Sequence, residues 1–491
     1  MKGDFSRQAF DKKKHYSSVL MQQGRVQIDA DWNEQQSIHQ YRHEVQARDV
    51  IGQCGTPKDE YGGGFNIDVS SNGIDLKISK GCIYVDGILC ENESDDVTLK
   101  KQNDLPLKKE NLAGFTLPST YGRYLVYLDV WQRHITAIDD PGIREKALGG
   151  PDTTTRAKTV WQVKLHQVLN NTECSTLRPG WKPEATGKLN AQTVLTSTDT
   201  GPCVLPPTAG FRRLENQLYR IEIHRGTDLV DPAVKPTFKW SRENGSVVTS
   251  IVQFSGLTIQ VQDMGRDDVL GFASDQWVEI LDDRMELNDH RGHLVQIETI
   301  HPSTYEIVIK STIPLPDIDE TFHPKLRRWD QLGEGGKDGI EIASSWMPLE
   351  DGIEVQFSDG TYRSGDYWLI PARTAISSET GNIEWQIDGE GNRIPQLPHG
   401  IDHHYCPLAL VDFKDNKFKL VHNSDCRQLF PPLTDITADD VSFDNSLCHL
   451  PNAETVQEAL NNLCKRHVGG GTLTAVPGSG WEAVFNSITD G

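Results

Sequence analysis

The sequence predicts a mainly β, multi-domain protein of short sandwich- or barrel-like modules. An N-terminal arm and helix precede them, and a C-terminal helix leads into a further β region. Three observations carry this prediction. From Phe65 onward the apolar residues recur with a period of two, and turn chemistry interrupts them at short intervals. Only one long stretch, residues 29–52, has helical spacing instead. The chain is 491 residues long, enough for about two to four domains with cores of their own.

The elements follow in order. Residues 1–23 are basic and polar with few core residues, the profile of an extended arm. In 29–52, Asp29 or Asp31 can cap a helix, Ile38, Tyr41 and Val45 share one stripe, and Gly52 stops it. So thin a stripe predicts a helix that lies against the β domains or a neighbouring subunit. Asp86-Gly87, between two short apolar runs, supplies the positive φ angles of a tight hairpin, and Asp359-Gly360 after Ile353, Val355 and Phe357 has the same pair. A third hairpin is expected at Asp415-Asn416.

Trp161, Val163 and Leu165 alternate with Gln162, Lys164 and His166, which reads as a strand with one wet face. Leu257, Ile259 and Val261, and Tyr305, Ile307 and Ile309, alternate in the same way. The run from Tyr124 to Trp131 is apolar on both faces except at Asp129, so it reads as a central strand covered on both sides. Residues 139–156 form a long polar connection, and 170–210 are rich in Pro, Gly and Thr, as at a domain junction. After 432, Asn452 can cap a short helix through Cys464, with Val456, Ala459, Leu460, Leu463 and Cys464 on one face. The expected divisions are 1–52, 53–209, 210–345, 346–432 and 433–491.

The formal charge is −21, from 70 acidic against 49 basic residues. A nucleic-acid groove is disfavoured, because the average field repels phosphates. No apolar run suits a signal peptide or a membrane span. That predicts cytoplasmic synthesis without a signal peptide and no membrane insertion. Nine scattered cysteines without a CxxC pair predict mostly buried, reduced thiols, with a Cys82–Cys90 bridge open after release.

Motifs for chemistry are weak throughout. His39 and His43 sit four apart on the helix, but Gln40, Tyr41 and Arg42 stand where a zinc protease places its general base. Asp402, His403, His404 and Cys406 collect metal-capable side chains, yet neighbouring strand residues point to opposite faces. Gly335-Gly-Lys337 is followed by Asp338, which repels a phosphate. Asp139-Asp140 lacks a calcium-loop pattern, and pairs such as Asp282-Asp283 are too common in an acidic chain to nominate a glycosidase. The expectation is no catalytic residue, no metal and no cofactor. The recurring tryptophans, Trp240, Trp277, Trp329, Trp346, Trp368 and Trp385, read as core packing, with some available to anchor an interface.

Several stretches carry a resemblance: residues 1–36, Gly81-Cys-Ile-Tyr-Val-Asp-Gly87, Leu214-Glu-Asn-Gln-Leu-Tyr-Arg-Ile-Glu-Ile-His224, Phe238-Lys-Trp-Ser-Arg-Glu-Asn-Gly245 and Gly365-Asp-Tyr-Trp-Leu-Ile-Pro371. They resemble a domain-of-unknown-function family associated with gene clusters for phage tails and phage-tail-like contractile injection systems. The resemblance spans residues 1–432 and brings no catalytic motif. It implies a structural, non-enzymatic subunit near a baseplate, acting as spacer, fibre root or cage element in a particle released from the cell or anchored at a membrane. The partners implied are baseplate or other tail proteins and further copies of the chain. The alternative is a tail-spike, receptor-binding or glycan-degrading protein whose active region lies beyond residue 491. Candidate interface residues are Lys12, Lys13, Lys14 and Arg25 on the arm, and Arg144 and Arg156 on the 139–156 loop.

Overall fold

The run that is apolar on both faces becomes a 14-residue central strand, Gly122–Ile135. The chain is described by a computed structural model over residues 1–59, 62–105, 118, 120–174, 177, 185–193, 211, 215–228, 230–231, 233–288, 290–310, 319–331, 336, 338–377 and 381–467. Expectations for residues 194–210, Gly335, Lys337 and everything after 467 fall outside this set. Gly122–Ile135 pairs antiparallel with Arg156–Val168 on one side and His404–Lys414 on the other, and Lys417–Asp425 completes the sheet. The strands Cys54–Pro57, Gly81–Val85 and Ile88–Asn92 pair in that order, and Ile67–Val69 pairs with Leu76–Ile78. Residues of these sheets share one core, in which Phe65, Ile83, Val126, Leu128 and Val411 are buried and Trp161 meets Phe65 edge-on at 5.0 Å.

A second core belongs to a five-stranded sheet ordered Ile340–Glu341, Thr237–Ser241, Gln217–Arg225, Tyr367–Ser377 and Gly381–Ile383. With it comes a three-stranded sheet of Met347–Pro348, Ile353–Phe357 and Leu189–Thr193. Trp240, Trp368 and Trp385 are buried here with Tyr219, Phe238 and Phe357. The third core fills a closed six-stranded barrel, ordered Val248–Ser255, Thr258–Val261, Glu306–Lys310, His293–His301, Trp277–Leu281 and Lys325–Trp329. Ile259, Val278, Ile280, Ile297, Ile307 and Leu326 point inward. Closure removes the unpaired strand edges that an open sheet would expose.

The modules are nested along the chain. The barrel strands lie between Thr237–Ser241 and Ile340–Glu341, and the second module lies between Arg156–Val168 and His404–Lys414. Linear divisions at 209/210 and 345/346 therefore cut through sheets: Leu189–Thr193 pairs with Ile353–Phe357 over five positions. Among the described residues, 1–56 and 62–428 form one compact unit, and 57–59 with 429–467 form another.

The smaller unit holds the helix Val456–His467. Thr455, not Asn452, starts it: the Thr455 hydroxyl accepts from Glu458 N at 3.2 Å, while the Glu458 carboxylate accepts from Glu454 N and Thr455 N at 2.8 and 3.1 Å. This is a reciprocal capping box. Ala459 joins Leu450, Ala453 and Phe443 in a small cluster, whereas Leu460 and Leu463 are exposed.

Local expectations meet mixed outcomes. Asp86 and Gly87 both take positive φ and join Gly81–Val85 to Ile88–Asn92, and Asp415 and Asn416 do the same before Lys417. Asp359-Gly360 makes no hairpin. The strand Ile353–Phe357 instead turns back to Met347–Pro348 through Asp351-Gly352, the same dipeptide with φ of 48° and 85°. Gln162 is not on a wet face: it is fully buried and donates to the carbonyls of Asp104 and Leu287 at 2.6 and 2.8 Å.

Candidate assembly surface

The N-terminal segment divides into an anchored start and an exposed continuation. The Met1 amino group donates to Tyr367 Oη at 2.8 Å, and its carbonyl accepts from Arg220 and Asn244 at 3.3 and 3.2 Å. The Asn244 amide also donates to Gly3 O at 2.9 Å. Phe5 packs against Leu218, Tyr367 and Leu369. These residues fill a polar site between the second module and the barrel.

Beneath them runs a chain of buried charges. Lys2 lies 3.0 Å from Glu222, Lys239 lies 3.3 Å from Glu222 and 2.6 Å from Glu279, and Trp329 donates to Glu279 at 2.9 Å. Desolvation pushes Lys2 down to about 8 against the pull of Glu222. Burial works to raise Glu222, but Lys2, Arg220 and Lys239 outweigh it and hold the carboxyl well below its ordinary range. The first residues of the arm are thus part of the chain's own packing, which corrects the picture of residues 1–52 as one docking element.

Residues 8–28 behave differently. The Ser6 amide donates to Asp29 at 2.9 Å, Phe10 meets Tyr41 with ring centroids 5.6 Å apart, and Val19 N donates to Gln35 at 2.6 Å, so the segment lies along the helix Asp29–Ile51. Its only regular element is a 3-10 turn, Lys12–Lys14, capped by the Asp11 carboxylate. Lys12, Lys13, Lys14 and Arg25 are exposed, with no ion-pair partner among the described residues. So are large apolar side chains: Leu20 is 83% and Val26 86% exposed, and Tyr16, Met21, Ile28 and Trp32 are also open.

The helix itself buries only Ala30 and Ile38. Its N-cap is Ile28, whose side chain has no acceptor; Asp29 is the first helical residue and its carboxylate accepts from Ser6 N of the arm, so the expected aspartate cap is not formed. On the inner side Gly87 is required: its φ is +87°, and a Cβ there would overlap the Glu44 carbonyl of the helix.

The 139–156 loop connects two strands paired from Arg123↔Val168 to Ile135↔Arg156. Its base is fixed by charge, since Asp139 lies 2.7 Å from Lys325 and 3.4 Å from Arg133, and Arg133 also reaches Asp283 and Glu286 at 2.5 and 3.0 Å. Asp139, Asp283 and Glu286 place carboxylate oxygens within 4.8 Å of one another. Arg133 and Lys325 offset two of these three charges, and His323 lies 2.6 Å from Asp283. Beyond it, two 3-10 turns, Pro141–Ile143 and Lys146–Leu148, shape an exposed loop. Arg144 donates to Gly150 O at 3.2 Å, and Arg156 to Thr154 Oγ1 and Thr155 O at 2.7 and 3.1 Å, so both stiffen the loop from within.

The histidine groups separate. His403 lies 2.6 Å from Asp129, which also holds Lys164 at 2.7 Å, and its ring stacks on Trp131 at 4.8 Å. His404 points to the other face and lies 2.8 Å from Asp86. Burial alone would lower His404, but Asp86 raises it above its ordinary value. Cys406 is buried in the first core. Cys174 and Cys426 form a disulfide, while Cys82 and Cys90 remain unbridged. The expectation of reduced thiols throughout is corrected there; the sequence gives no sign of it, because the two lie 252 residues apart.

The chain belongs to the family of unknown function DUF6519. The family model matches residues 1–178 and 172–434, which takes in the anchored arm, the helix and all three nested modules. No curated protein and no solved structure matches significantly. Membership thus spans the arm, the helix and the fold beneath them. No helix among the described residues is long and apolar enough to cross a membrane.

Proposed function

We propose that this DUF6519 protein is a non-enzymatic structural subunit of a phage-tail-like contractile injection particle, attached at or around the baseplate. The observation that supports this best is the arm. Residues 8–28 are held on the helix Asp29–Ile51 by specific bonds and yet leave Leu20, Met21, Val26 and Trp32 open to solvent. Several large apolar side chains left exposed on one segment are a feature of interaction sites. The nested β modules beneath give it a stiff base, since the buried ion pairs around Lys2, Glu222 and Glu279 tie the chain's start to two modules at once. Function as spacer, fibre root or cage element is then mechanical.

The test is replacement, because deleting the whole arm would also remove Met1 to Phe5 from their buried site. Exchanging Leu20, Met21, Val26 and Trp32 for serine should leave a folded protein that no longer joins its particle. Undiminished incorporation of that variant would defeat the reading.

A further inference from the structure

Two features left unused by the fold match each other in charge. The first is the 3-10 turn Lys12–Lys14, which presents three ammonium groups without an ion-pair partner among the described residues. Residues 1–28 hold six cations, Lys2, Arg7, Lys12, Lys13, Lys14 and Arg25, against Asp4 and Asp11, on a chain whose net charge is −21. The arm is the basic part of an acidic molecule.

The second feature is a cleft of about 650 Å³ between the helix Asp29–Ile51 and the first module. Glu44 of the helix, Glu91 in the strand Ile88–Asn92, Glu93 just after it, and Asp104 line it, and Lys158 is the one lysine on its wall. Lys158 is paired with Asp104 at 2.7 Å. Glu91 and Glu93 are exposed with no ion-pair partner among the described residues, and the Glu44 carboxylate accepts from Gln40 at 2.7 Å. Trp161 and Ile88 form an apolar floor. The Lys12–Lys14 turn of the same chain is not among the lining residues.

We propose that the Lys12–Lys14 turn of one copy docks in this acidic cleft on a second copy, with the apolar residues of the arm completing the contact. This rests on the reading of the arm as an assembly element, and it names the partner as the chain itself. Arm and cleft are different surfaces, so the contact is heterologous and repeats head to tail, closing a ring or extending a row as the rotation per step dictates. Exposed ion pairs are individually weak, so the charges act chiefly by steering and register, and the apolar arm residues hold the contact.

The experiment is sedimentation of the full chain at low and high salt with a charge-swap pair. The wild type should self-associate with concentration, more weakly as salt shortens the screening length to about 3 Å near 1 M. K12E/K13E/K14E should weaken association by about tenfold, the effect of three surface pairs, and E91K/E93K, which touches two, by about fivefold. Both should keep the wild-type melting temperature, since the residues are exposed. A mixture of the two variants should associate again, because each then meets its opposite charge.

A wild type that stays monomeric up to its solubility limit at low salt would overturn the proposal. So would variants that associate undiminished, or folded variants whose mixture stays apart. If wild type never self-associates but the arm variant of the preceding section still fails to join the particle, only the identity of the partner is overturned and the assembly role stands.

Discussion

Replacing Glu279 by alanine should be among the most damaging single changes in the molecule. The carboxylate is about 3% exposed and accepts from Lys239 at 2.6 Å, Gly292 N at 3.1 Å and Trp329 Nε1 at 2.9 Å. Without it, Lys239 keeps only Glu222 at 3.3 Å, and that carboxylate is already shared with Lys2 at 3.0 Å and Arg220 at 2.6 Å. Buried Lys239 and Arg220 and the partly buried Lys2 would then face one anion. Removing one partner of a buried pair costs about 3–5 kcal/mol, and each orphaned neutral donor costs about 1–3 kcal/mol more unless water reaches it. The expected loss is about 5 kcal/mol, comparable to the ~5–15 kcal/mol that hold a typical domain together. Urea titration followed by tryptophan fluorescence reads the shift in midpoint. Glu279→Gln keeps an acceptor for Trp329 and should fall between alanine and wild type. Pairing Lys239→Met with Glu279→Leu should recover most of the loss, because the desolvated charges leave together. An alanine variant within about 1 kcal/mol of wild type would refute the view that this cluster clamps the modules.

Three further outcomes are expected. Burial, then the charge of Lys239, lowers His224 from 6.5 to about 3, and His134 is likewise lowered to about 3 by burial first. Between those values the unfolded chain binds protons that the folded chain does not, so these two histidines contribute no slope above pH 6.5 and remove about 1.4 kcal/mol of stability per unit each below it. Depressed carboxylates such as Glu222 and Asp139 add a loss of the same sign only below about pH 4. Urea midpoints from pH 8 to 5 check this, and a midpoint that rises toward pH 5 would contradict it. Reduction of Cys174–Cys426, which closes a separation of 252 residues, should lower the unfolding free energy by at most about 5.5 kcal/mol in the chain-entropy limit, and an unchanged urea midpoint would show that the crosslink adds nothing to stability. A short Gly-Ser linker in place of residues 141–155 should cost under about 1 kcal/mol, since loop closure changes by only about 0.6 kcal/mol per doubling of length. Asp139→Asn should cost more, because it deprives Lys325 and Arg133 of a carboxylate.

Local chemistry made some elements legible and hid others. The helix Asp29–Ile51 was readable because Gly52 takes φ 98° and stops it, and the Asp86-Gly87 hairpin because both residues must take positive φ. Thr455-x-x-Glu458 was an available capping-box signal, as was Asp351-Gly352, but Asn452 and Asp359-Gly360 carried the same residue types nearby. The nesting was not legible. Periodicity marks Gly122–Ile135 as a strand, but nothing local says that its neighbour is His404–Lys414. The buried charges were hidden for a related reason: in the strand Gln217–Arg225, Arg220, Glu222 and His224 alternate like a solvent-facing set, yet all are under 4% exposed because the N-terminal residues and the barrel cover them. For the candidate surface, Lys12, Lys13, Lys14 and Arg25 lie exposed on the arm, whereas the apolar residues beside them became notable only once nothing was seen to cover them.

The most direct measurement is electron cryomicroscopy of intact particles from cells with and without this gene. Density for the subunit should appear at or around the baseplate, with residues 8–28 and the helix Asp29–Ile51 buried against a neighbouring protein. Particles identical in the two preparations, or a bound subunit whose arm still faces solvent, would contradict the role of this surface in assembly.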